Sequence, residues 1–187
     1  WPLDHTVFVD AVNVVPDAKA QVHHVFAVII DPVNLAAFEA ADGVDGKPGF
    51  PCWGAPSPEG ALVPPRTLTV WAPGITGGYL PEGTGVRVEP GSKVVLQMHY
   101  NTINSEPVAD QSRLEIHHVE SVAREALTLF FLNFGWPSPG GMPIPAGDPS
   151  VTVQYTDDVG GSMRFVGSDR VGITINEPFA LHSVYLH

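Results

Sequence analysis

Positive charge is scarce in this chain. Nine Lys and Arg stand against 20 Asp and Glu in 187 residues, a formal net charge of −11. No two basic residues are adjacent, so no stretch could neutralise consecutive phosphates, and nucleic acid is not an expected partner. An acidic surface favours solubility and attracts cations weakly, without specifying a function. Cysteine is nearly absent too: Cys52 stands alone, which excludes an internal disulfide. In the aromatic-rich turn Phe50-Pro51-Cys52-Trp53-Gly54 it reads as a small buried hydrophobe. No apolar run reaches the roughly 20 residues of a spanning helix. No signal-peptide pattern is present, and a membrane is not an expected partner either. The chain opens abruptly at Trp1-Pro2, as it would after loss of a leader or an upstream segment.

Glycine and proline, by contrast, are abundant at 19 each, and 44% of residues are hydrophobic. They recur between β-branched runs, the pattern of an all-β protein with many turns. Strands are expected over residues 5–15, 20–30, 66–71, 86–88, 94–101, 112–119 and 125–132, with more at 150–156, 162–166 and 171–175. The one helical pattern covers residues 33–41, where Val33, Ala36, Ala37 and Ala40 share a face. Asp42-Gly43-Val44-Asp45-Gly46 lacks the further ligands and closing Glu of a calcium loop and reads as a solvated turn. Residues 77–85 read as loop. A Pro/Gly-rich stretch over 135–149 marks a change of character. Two domains are therefore expected, 1–125 and 126–187, the second stopping in mid-strand and so incomplete.

The chemistry-bearing feature is histidine. The run Val94-Val95-Leu96-Gln97-Met98-His99-Tyr100-Asn101 reads as a strand carrying His99 towards its end. Alternation puts Gln97 and His99 on one face, Met98 and Tyr100 on the other. A second strand carries the adjacent pair His23-His24. Three imidazoles on neighbouring strands would make a three-nitrogen metal site. On a flat strand, adjacent side chains face opposite ways, so both His23 and His24 reach one ion only if a bulge intervenes. A sulfur-free, carboxylate-free imidazole set favours copper or zinc. The alternative is a polar seam between strands. His5, His117, His118 and His182 have no assigned role; of the pair His117-His118, one is read as surface and one as sheet-facing.

The order of motifs narrows this. Val22-His23-His24-Val25 is followed by Cys52-Trp53-Gly54, Trp71-Ala72-Pro73-Gly74, Leu80-Pro81-Glu82-Gly83-Thr84-Gly85 and Leu96-Gln97-Met98-His99-Tyr100-Asn101. This run resembles the copper type II, ascorbate-dependent monooxygenases, which include peptidylglycine α-hydroxylating monooxygenase and dopamine β-monooxygenase, and among them the bacterial members. The resemblance covers about residues 5–125 well and the rest more loosely. It implies two jelly-roll-like antiparallel β-sandwiches, each holding one copper. His23, His24 and His99 would ligate the electron-transfer copper. His187 would open the H-x-H pair of the second copper, whose second histidine and methionine lie beyond this sequence. Met142 and Met163 precede that pair, so neither matches the family's methionine. Trp71 and Pro73 would shape a loop near the copper, or simply a packed aromatic turn. Gln97 and Asn101 are candidates to orient the ligating rings.

The implied activity is hydroxylation of a C–H carbon of a small-molecule or peptide substrate, with O2 and with ascorbate or another reductant. Export to the periplasm or outside the cell goes with it. Turnover by these 187 residues alone is not expected. The rival classes are a non-catalytic copper-binding sandwich and an adhesion or sugar-binding jelly roll with incidental histidines.

Overall fold

The computed structural model describes residues 3–52, 56–59, 66–103, 105–128, 133, 135–136, 140–156 and 179–184. The chain divides into two compact units, Trp1–Thr128 and Leu129–His187. The first is an all-β, sandwich-like fold. Its strands are β1 (Val7–Val15), β2 (Val22–Ile30), β3 (Arg66–Trp71), β4 (Gly78–Tyr79), β5 (Thr84–Val88), β6 (Lys93–Tyr100), β7 (Arg113–Val119) and β8 (Arg124–Glu125). A 3-10 turn at Pro32–Asn34 leads into the helix α1 (Leu35–Ala41). No helix among the described residues is long and apolar enough to cross a membrane.

One sheet is centred on β1, which pairs antiparallel with β7 on one edge and with β4 and β5 on the other. The short β8 adds to β5 in parallel. The other sheet has the order β3-β2-β6, antiparallel throughout. Val7, Val9, Val86 and Val88 of the first sheet meet Ala27, Ile29 and Leu68 of the second in one buried cluster. A second cluster, Val14, Val22, Val25 and Trp71, continues it. Each such aliphatic side chain contributes roughly 1.5–3 kcal/mol by leaving water.

The sheet carrying the histidines is covered on both faces over part of its length. Val25, Ala27 and Ile29 point into the sandwich, while Val28 and Ile30 pack outward against Phe38 of α1. That explains why residues 25–30 read as a continuous apolar run rather than an alternating one. Further along the outer face, beyond α1, cover is lost, and His24 and His99 occupy that end.

Several boundaries differ from expectation. Residues 77–85 are not all loop: Gly78–Tyr79 pairs with Ala11 and Val12, and β5 begins at Thr84. Gly77 sits so close to β1 that an added Cβ would lie 2.5 Å from the Asn13 Cα. The strand expected over 125–132 is represented by Arg124–Glu125; residues 126–128 carry no ladder, and 129–132 lie outside the described residues. In the second unit, residues 150–156 form no ladder among the described residues, and the runs 162–166 and 171–175 lie outside them. Trp136 and Tyr155 meet edge to face there, ring centroids 5.8 Å apart.

Candidate metal centre

His24 and His99 are cross-strand neighbours on β2 and β6, a consequence of the antiparallel register. Adjacent histidines in a strand need a bulge to face one point, and one is present. The β2–β6 register shifts between Val22 and His24, leaving His23 as the extra residue. The bulge turns His23 to the side already occupied by His24 and His99.

The three rings then converge. Centroids are 5.3 Å apart for His23 and His24, 4.8 Å for His23 and His99, and 4.5 Å for His24 and His99. The Nδ1 atoms point inward: His23 to His24 is 3.2 Å, and His24 to His99 is 3.2 Å. One ligand atom from each residue lies within 4.8 Å of the others, the sole such group among the described residues. Imidazole nitrogens bound tetrahedrally at about 2.0–2.1 Å stand roughly 3.3 Å apart, by the bond lengths of His–metal sites. The two short separations match that without rearrangement.

Protein groups alone satisfy this arrangement poorly. A ring nitrogen holds either one proton or one in-plane lone pair. The His24 Nδ1 can therefore make only one good hydrogen bond to its two imidazole neighbours. Three lone pairs aimed at a cation resolve the conflict. No carboxylate belongs to the group. His23 and His99 are exposed and His24 is half-buried, so small molecules have access.

Other singled-out residues fall elsewhere. Trp71 faces inward: it is Val25's ladder partner, it packs with Val14, Val22 and Val25, and its Nε1 donates to the Ile75 carbonyl at 2.9 Å. Trp71 is thus packed within the sandwich, while Pro73 and Gly74 of the same run are exposed. A cleft of about 830 Å³ opens beside it, lined by Asn13, Trp71, Pro73, Tyr79 and His117 among others, and none of the three clustered imidazoles lines it. Cys52, expected to be buried, is exposed; its sulfur accepts a hydrogen bond from Gln97 Nε2 at 2.9 Å. Asn101 caps its own loop, its Oδ1 accepting from the Ile103 amide at 3.1 Å.

His117 and His118 are both exposed, at ladder positions opposite Ala11 and Val9 of β1. They lie near the end of β7. His117 Nδ1 lies 2.6 Å from Asp10 Oδ1, at a bulge in β1, and Tyr79 crosses its ring at 5.5 Å. His5 lies between Asp4 and Glu120, each at 3.0 Å, and the hydrogen bond to Asp4 and the charge of Glu120 raise its pKa above the usual imidazole value. His182 is exposed, outside any strand. His187 and Met163 lie outside the described residues, and Met142 is exposed in a bend.

No protein-family model and no curated protein sequence matches this chain. Its class is accordingly defined by its own structure: an all-β sandwich presenting three convergent imidazoles on an outer face.

Proposed function

We propose that His23, His24 and His99 hold a redox-active copper ion, and that the chain is the electron-transfer part of a copper-dependent monooxygenase. The observation that carries this reading is the His24 Nδ1, 3.2 Å from two other ring nitrogens with no carboxylate in the group. Copper supplies one-electron chemistry when bound to such a set, and neutral imidazoles suit both of its oxidation states.

The chain's own residues have three tasks. The bulge at His23 and the His24–His99 pairing fix three nitrogens around one point, so little reorganisation accompanies a change of charge there. Exposure of His23 and His99 leaves the site open to a small reductant such as ascorbate. The packed face beneath, Val25 with Trp71 and Met98, keeps the two strands in register. The motif order adds the monooxygenase reading: a second copper would be held by a sandwich begun in residues 126–187, with His187 as its first histidine. The substrate would be a small molecule or peptide hydroxylated with O2, in the periplasm or outside the cell.

The test is electron paramagnetic resonance of the copper(II)-loaded chain. A single nitrogen-ligated copper(II) signal that ascorbate abolishes and reoxidation restores is expected. A signal that persists with excess ascorbate, or one unchanged in His24→Ala, contradicts the proposal.

A further inference from the structure

Gln21 was given no role by its sequence, yet it is one of the few buried polar side chains, 5% exposed. It stands two residues before His23, the extra residue of the bulge. Both N–H donors of its amide and its carbonyl oxygen are engaged. Nε2 donates to Ser105 Oγ at 3.0 Å and to the Glu106 carbonyl, and Oε1 accepts from the Val108 amide at 3.2 Å. Its main-chain carbonyl accepts from the Asn101 amide at 2.7 Å. One residue thus grips both strands where they leave the imidazole cluster: β2 just before His23, and the chain just after His99.

The mechanical need is specific. A bulge leaves one residue unpaired, and its side chain is aimed only as firmly as the ladder on either side. On the inner side of His23 that ladder is long, from His24 to Ile30. On the outer side it is a single pair, Val22 with Tyr100. Beyond that pair, the bonds of Gln21 take over from the ladder. A parallel tie exists: Asp110 accepts from the Ala18 amide at 2.9 Å and from the Tyr100 hydroxyl at 2.8 Å. Loss of Gln21 therefore loosens this end without releasing it.

We infer that Gln21 is a positioning residue for the metal site, setting the distance of His23 from His24 and His99 by locking residues 105–108 to the start of β2. The inference rests on the proposed metal reading of that cluster. Gln21→Met keeps the side-chain volume and removes every side-chain hydrogen bond; Ser105→Ala removes only one. Thr84→Val, which deletes the buried hydroxyl bond to the Pro81 carbonyl in the other sheet, controls for general destabilisation. Copper(II) affinity and the paramagnetic resonance spectrum of the full 187-residue chain are the readouts. Gln21→Met is expected to bind about 10–100-fold more weakly with altered hyperfine splitting, the range for residues that orient metal ligands. Ser105→Ala should shift both readouts the same way by less, and Thr84→Val neither. Wild-type affinity and spectrum in a folded Gln21→Met overturn the inference alone. So does an equal loss in Thr84→Val. Should Gln21→Met fail to fold, an unchanged Ser105→Ala overturns it. If the wild-type chain binds no copper at these histidines, the metal reading itself fails and this inference with it.

Discussion

Removing His99 is the most informative single perturbation, because β6 contributes no other ligand to the cluster. An ion held by His24 and His99 ties together segments 75 residues apart. That tie exists only in the folded state, so bound metal must raise stability. At a free ion concentration of 100 times Kd the gain is about 2.7 kcal/mol. The first unit spans Trp1–Thr128. At roughly 2.1 cal/mol/K per residue, its unfolding entropy is about 0.27 kcal/mol/K. The melting temperature of that unit should therefore rise by about 10 °C. His99→Ala changes an exposed side chain, so without metal its midpoint should move by less than about 2 °C, the reach of an ordinary surface substitution. With metal, two imidazoles on one strand no longer bridge the ladder, and the gain should fall below about 3 °C. Scanning calorimetry of both proteins, metal-free and loaded with zinc as a redox-silent probe, reads this directly. A full gain in His99→Ala, or no gain in the wild type, refutes the reasoning.

Three further outcomes follow from the fold. Ile29 is wholly buried between the sheets, and Ile29→Ala should cost about 3 kcal/mol in urea unfolding; a loss under about 1 kcal/mol would mean the sandwich interior is loose. Gly77→Ala places a Cβ 2.5 Å from the Asn13 Cα and should destabilise by about 1–3 kcal/mol through overpacking, read as a lowered melting temperature; an unchanged value would mean β4 does not lie against β1. The Glu89 carboxyl is held below its usual 4.5 by the Thr6 hydroxyl and then by Arg87. Its contribution is present above the unfolded value and is lost as pH falls through the depressed one. Glu89→Gln should accordingly flatten the acid limb of the stability curve below about pH 5, and an identical limb would count against that pairing.

The all-β class was legible because β-branched runs punctuated by Gly and Pro have few other solutions. So was the requirement for a bulge, since adjacent histidines on a flat strand cannot share a face. What escaped was whatever depended on partners distant in sequence. Gly78-Tyr79 has no strand pattern and is a strand only because β1 offers it an edge. Cys52 has apolar neighbours in sequence, yet it is exposed, and the partner its sulfur meets, Gln97, lies 45 residues away on β6. Asp10 and His117 are 107 residues apart, and only the β1–β7 register joins them. Gln21 reads as part of the His-pair strand over 20–30, whereas the strand starts at Val22 and the burial of Gln21 comes from a loop 84–87 residues downstream.

The measurement closest to the central claim is X-ray absorption at the copper edge on the reduced, copper-loaded chain, with copper content determined on the same sample. About one copper per first unit is expected, with an inner shell of imidazole nitrogens near 2.0 Å, as for other His–metal bonds, and loss of that shell in the variant lacking His99. A copper-free protein, a shell dominated by sulfur, or an unchanged shell in that variant would contradict the account.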